Sequence, residues 1–170
     1  MYEQPAAQSW QVPAEEPGPA PGVMFAPHGE RLIAYIVDAL IVGLVMLVGT
    51  LVFVGAVLVG SGVGTTTTPT VNPMAAIGGI LFIVLVLVVG IGYFPFFWAR
   101  RGQTPGMKMF RLYVVRDRDG GPISGGQALL RLVGYWINGI VFYIGFIWVF
   151  IDSRRRGWHD LIAGTVVIKR

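Results

Sequence analysis

The sequence predicts an all-α integral membrane protein with three apolar helical segments and a short cytoplasmic β-pair. Three observations predict it. Hydrophobic residues make up 54% of the 170 residues and charged residues only 13%, about half the charged share of a soluble domain. The apolar residues fall into three blocks, with the charges pushed between them. The segments joining the blocks differ sharply in Lys and Arg content, which is the signature of orientation in a bilayer.

The first 29 residues are polar and carry six prolines (Pro5, Pro13, Pro17, Pro19, Pro21, Pro27). Proline gives no backbone donor and resists helix, so residues 1–29 read as a disordered N-terminal tail. A docking motif built on Trp10 or Phe25 is the alternative reading. A secretory signal is not expected, because the stretch has no basic start or apolar core and carries Glu3, Glu15 and Glu16. Residues 30–170 then form one membrane domain.

The first block, 32–59, contains one ionisable side chain, Asp38, and Glu30 and Arg31 mark its start. Its 28 residues exceed the roughly 20 that cross a hydrocarbon core. Residues 60–73 make an uncharged loop rich in Gly and Thr. The second block, 74–98, has no charge and ends in Tyr93, Phe94, Phe96, Phe97 and Trp98, which resembles an interfacial aromatic belt. Pro95 is expected to bend its last turn.

Residues 99–131 hold seven bases and two acids. Phe110–Val115 alternates in β-forming residues and reads as a short strand. Asp119, Gly120 and Gly121 suit a turn, and Ser124 suits the N-cap of a following helix. The third block, 132–151, is followed by Arg154, Arg155 and Arg156 and by a second β-rich stretch at Gly164–Ile168.

Lys- and Arg-rich short loops stay in the cytoplasm. That rule places the 60–73 loop outside and the N-terminus and residues 99–131 inside. A third full span would put the basic C-terminal segment outside and would leave each short strand without a partner on its own side. A re-entrant or broken third block, turning at Asn138-Gly139 or Gly145, removes both conflicts. A single span remains open, because 20 residues is also the length of one crossing.

The chain has no cysteine, so no disulfide, thiolate metal site or cysteine nucleophile is available. No cofactor and no metal is expected. His159-Asp160 lacks a nucleophile in motif context, and no enzyme is expected. GQTPGMK has three residues between its glycines rather than the four of a phosphate-cradling loop, and reads as a tight turn from membrane to strand. Nucleic acid is not an expected partner, since the bases flank apolar spans.

These residues together resemble the RDD family of membrane proteins, named for one arginine and two aspartates. The matching residues are Arg31 and Asp38 in ERLIAYIVDALIV and Asp160 in WHDLIAGTVVI. A glycine-proline-glycine element follows the second helix as Gly102, Thr104, Pro105 and Gly106. The resemblance covers residues 30–168. It implies a transporter-like protein for an unidentified ligand, cation or proton, or a non-transporting accessory or scaffold subunit.

Arg31, Asp38 and Asp160 are therefore the candidate ligand or ion-pathway residues. An ionised carboxylate at the depth of Asp38 costs about 2.5–3.5 kcal/mol on insertion scales, so it needs partners. Arg131, Arg31 through water, Asn138, Tyr135 and Trp136 are candidates, with His159 as a further supporting residue. The competing reading makes Asp38 interhelical glue, Arg31 a snorkelling lipid contact and Asp160 a turn cap or arginine partner. Arg154, Arg155 and Arg156 are expected at anionic lipid headgroups. The expected partners are the bilayer, its anionic headgroups, and a homo-oligomer or larger membrane complex. The plasma membrane is the expected location.

Overall fold

The computed structural model of the protein describes residues 18–20, 22–60 and 73–170. Most of the tail, with Trp10, and nearly all of the 60–73 loop lie outside these residues. The elements in order are β1 (Met24–Phe25), α1 (His28–Gly60), α2 (Pro73–Leu87), α3 (Tyr93–Arg101), α4 (Pro105–Met109), β2 (Leu112–Arg116), α5 (Gly125–Ile140), α6 (Ile144–Ile147), α7 (Trp158–Ala163) and β3 (Thr165–Lys169).

Among the described residues, two helices are long and apolar enough to cross a membrane, His28–Val59 and Pro73–Arg101. At 1.5 Å per residue the first is roughly 48 Å long, more than the hydrocarbon core requires. The two pack side by side. Gly49 makes room for Leu85, and the rings of Phe53 and Phe82 stack 5.0 Å apart. The second helix passes through a π-helical turn at Val88–Gly92 before α3. Pro95 has no N–H and its ring displaces the carbonyl four residues earlier. That carbonyl belongs to Ile91, so the distortion falls one turn before the proline.

The third block is not a straight span. Gly125–Ile140 and Ile144–Phe150 meet at 114°. The turn lies at Val141–Tyr143, not at the expected Asn138-Gly139 or Gly145. Phe142 and Tyr143 take positive φ angles of 52° and 62°, which is uncommon for residues other than glycine. Tyr143 donates its N–H to the Asn138 carbonyl at 2.7 Å, closing the turn. Ser124 caps α5 as expected, and Gln127 completes a capping box.

The expected β-pair is a three-stranded antiparallel sheet in the order β1-β3-β2. Val114 faces Val167, and Phe25 faces Ile168. The third strand comes from the stretch assigned to the tail, so the ordered domain begins before residue 30. Phe25 is buried in the sheet, and the main helix already starts at His28. Two residues flanked by prolines carry too little pattern to announce a strand. The other strands start a residue or two later than expected. Arg111 and Gly164 occupy left-handed turns (φ 57° and 62°) that lead into β2 and β3.

Trp98, Leu112, Val114, Ala128 and Val167 form the buried core where the sheet meets the helices. Elsewhere α1 and α2 expose long apolar side chains, including Leu40, Leu44, Leu51, Ile80 and Leu81. That surface is at home in lipid and not in water.

Candidate functional site

Asp160 sits at the start of α7 with no exposure to solvent. Its Oδ2 accepts from the Gly157 N–H at 3.1 Å, which ties down the first turn of α7. The same carboxylate accepts from two arginines that come from distant parts of the chain. Arg31 of α1 reaches it at 2.5 Å, and Arg131 of α5 donates to its Oδ1. Arg131 also donates to Thr165 Oγ1 at 2.6 Å and lies over the Trp98 ring at 4.7 Å. Arg31 spends its other donor on the Arg155 carbonyl. One carboxylate thereby fastens α1, α5 and the α7–β3 unit together.

Burial alone would raise the Asp160 carboxyl. The Arg131 and Arg31 guanidiniums outweigh that and hold it well below the usual carboxylate range. His159 is equally buried. Desolvation, opposed by the Asp160 charge and helped by both arginines, pushes it down to about 3. It is therefore neutral at physiological pH. Its Nδ1 lies 3.3 Å from the Asn138 amide nitrogen, and its ring packs on Tyr135 at 4.4 Å. Space here is tight. A side chain at Gly145 would start 1.7 Å from Asn138 Oδ1.

Asp38 belongs to a second polar centre. It is 2% exposed, and both of its oxygens are used. Oδ1 accepts from Tyr93 Oη at 3.0 Å and from the Gly106 N–H at 2.9 Å. Oδ2 accepts from Thr104 Oγ1. Thr104 in turn caps α4 by accepting from the Met107 N–H at 3.2 Å. Gly106 is required for this approach, because a Cβ there would lie 2.2 Å from the Ala34 carbonyl oxygen. The GQTPG turn is thus the socket that receives the buried aspartate of α1.

The three candidate pathway residues, Arg31, Asp38 and Asp160, do not share one partner set. Arg31 and Asp160 meet, and Asp38 is held by Tyr93, Thr104 and Gly106 instead. The side chains expected to support Asp38 are used elsewhere. Arg131 serves Asp160, Asn138 serves His159, and Trp136 is half exposed. The sequence marks Tyr93 and Gly106 only as an interfacial aromatic and a turn glycine. The signal that links them to Asp38 is the need of a buried carboxylate for donors.

The Arg154–Arg156 triplet also departs from expectation. Arg156 pairs with Asp152 at 3.0 Å and Asp117 at 2.9 Å, and Arg154 pairs with Asp117 at 3.0 Å. A hydrogen bond from Arg156 holds the Asp152 carboxyl below its ordinary value. Arg155 donates to the Phe25 carbonyl at 3.4 Å. These pairs bind the segment after the third block to the turn that follows β2.

Between the two polar centres lies a cavity of about 560 Å³. Arg31, Arg131 and His159 line it, as do Asp38 and Thr104, with Tyr35, Phe94 and Phe146 supplying aromatic wall. Among the described residues, no group of three or more His, Asp or Glu is placed to hold a metal ion.

Three comparisons bear on this arrangement. The chain is 29% identical over 143 residues to a Bacillus subtilis (strain 168) protein named "Uncharacterized protein YxaI", covering 81% of this chain and 93% of that one. It is 33% identical over 94 residues to "Uncharacterized protein RP437" of Rickettsia prowazekii (strain Madrid E), about half of either chain. It is 27% identical over 88 residues to the "Proline-rich antigen homolog" of Mycobacterium tuberculosis (strain ATCC 25618 / H37Rv), covering 49% of this chain and 37% of that one. No solved structure matches the chain. The profile of the RDD family matches residues 25–164, from the first strand through Asp160 to the glycine before β3. With its arginine and both aspartates each held by a defined partner set, this membrane protein belongs to the RDD family.

Proposed function

We propose that the protein is a small multi-pass plasma-membrane protein of transporter type, in which the cavity beside Arg31, Arg131 and Asp38 receives an unidentified ligand. The cavity carries this reading. Its volume lies in the 300–1,000 Å³ range of ligand sites, and its apolar walls converge on a few ionised side chains. The sheet and the N-terminus face the cytoplasm in this proposal, because the bases at positions 100–118 flank the sheet. The protein carries out no chemistry on what it binds.

A second reading, a non-transporting accessory or scaffold subunit, has one observation in its favour. The Asp38 carboxylate is saturated by donors, as packing glue would be. Asp38→Asn separates the two. Asparagine has the same shape: its Oδ1 keeps the Gly106 N–H and the Tyr93 hydroxyl as donors, and the Thr104 hydroxyl can reverse to accept from its amide, so the fold tolerates it. In proteoliposomes carrying a sodium or proton gradient, a cation pathway through Asp38 gives flux in the wild type that the variant lacks. Equal flux, or none in either, removes the cation-transport reading and leaves ligand binding in the cavity to be tested directly.

A further inference from the structure

The polar end of the cavity has a charge and hydrogen-bond deficit. Arg31 and Arg131 share one carboxylate, so the buried trio carries one positive charge more than it neutralises. His159, uncharged here, adds nothing to it. Two donors at this place have no acceptor among the described residues: Arg131 Nε and Trp98 Nε1, on residues 1% and 2% exposed. Buried unpaired donors are rare, and a buried uncompensated charge is costly. Arg131 and Trp98 both line the cavity.

The other end is apolar. The most exposed side chains along the cavity are Leu32, Tyr143, Ile147 and Phe150, at 60%, 60%, 57% and 69%. They mark the rim, and a rim of this composition opens toward hydrocarbon. Asp38 also lines the cavity, about 10 Å further along α1 from Arg31. Its oxygens already accept three hydrogen bonds.

From this juxtaposition we propose that the cavity binds a single-chain anionic amphiphile, its carboxylate or phosphate on Arg31, Arg131 and the Trp98 N–H and its hydrocarbon chain leading out past Phe146 and Ile147. The inference rests on the reading of the cavity as a ligand chamber. The ligand enters sideways from the bilayer, head first, and its negative charge makes up what Asp160 leaves unpaired. Uncharged amphiphiles fill the same apolar volume and leave the deficit in place.

The test uses the full chain in nanodiscs of zwitterionic phosphatidylcholine, with a stearic acid carrying a diazirine in its chain as photoprobe. The expected result is labelling on Tyr143, Phe146 or Ile147. Stearate or lysophosphatidate competes at a concentration about tenfold below that of stearyl alcohol. The better of these two acids distinguishes a free fatty acid from a membrane lysolipid as the source, and either order supports the proposal. Trp98→Phe keeps an aromatic ring under Arg131 and deletes one donor, and weakens acid competition about threefold more than competition by the alcohol. Equal competition by acid and alcohol overturns the anionic headgroup and leaves the ligand chamber standing. Best competition by stearyltrimethylammonium overturns it as well, placing the head at Asp38. Labelling confined to residues outside the cavity sinks both the proposal and the chamber.

Discussion

Replacing Asp160 by asparagine keeps the side chain's shape and removes the charge that two guanidiniums share. Asp160 is fully buried, and the Arg31 and Arg131 side chains are 13% and 2% exposed. Little water is available to take over. Removing one partner of a buried ion pair costs about 3–5 kcal/mol. Because one carboxylate serves two arginines here, the loss is expected near the upper half of that range, about 4 kcal/mol. That is a change of roughly three powers of ten in the folding equilibrium at about 1.4 kcal/mol per tenfold. The assay is unfolding of the purified protein in mixed micelles by titrated denaturing detergent, followed by tryptophan fluorescence. Most of the cost is a stranded charge, so a second change should recover part of it. Asp160→Asn combined with Arg131→Met, which removes the more buried cation and keeps its stem, should be more stable than Asp160→Asn alone. A single variant within about 1 kcal/mol of wild type, or a double variant with no recovery, would refute the account of this centre as an electrostatic staple.

Three other outcomes are expected. Gly106→Ala forces α4 away from the Ala34 carbonyl 2.2 Å from the new Cβ and breaks the 2.9 Å bond to Asp38; the same unfolding assay should show a loss of about 3 kcal/mol. His159 is about 3 in the folded protein against 6.5 in a solvated chain, so the unfolded state takes up a proton first as pH falls. Stability should be flat above pH 6.5 and should decline between 6.5 and 3, by about 2 kcal/mol at pH 5; thermal unfolding across this range should show a shallower slope for His159→Gln. Single cysteines replacing Arg118 and Lys169 in the cysteine-free chain should react with an impermeant maleimide only after the cytoplasmic face is opened; labelling of either in intact cells contradicts the proposed orientation.

The apolar blocks and the two longer strands were legible because each depends on a local pattern: hydropathy over 20 or more residues, or a run of β-forming side chains. The same local signals located Ser124 as a cap and the GQTPG stretch as a turn. The pairing of the buried charges was not legible. Arg31 and Asp160 are 129 positions apart, and nothing along the sequence says which acid takes which base. Seven residues apart on α1, Arg31 and Asp38 share one helix face, yet each turns to a different partner set. The break in the third block was misplaced for a related reason. Gly139 and Gly145 look like turning points, but Gly145 is needed for the space beside Asn138. The left-handed backbone falls on Phe142 and Tyr143, residues chosen against by local preference and held there by the buried Asn138 carbonyl.

The staple between Arg31 and Asp160 has a consequence for how a cell makes this protein. Translation at 5–20 residues per second places the two groups roughly 6–26 s apart. The first helix is therefore already in the translocation machinery with its guanidinium awaiting a counter-ion. β3, the middle strand of the sheet, emerges after Asp160, so β1 and β2 wait for the same moment. Closure is a late, all-at-once event, and a ribosome that stalls between residues 131 and 160 releases a polypeptide in which Arg31 and Arg131 both lack their carboxylate and two strands are unpaired for quality control to find.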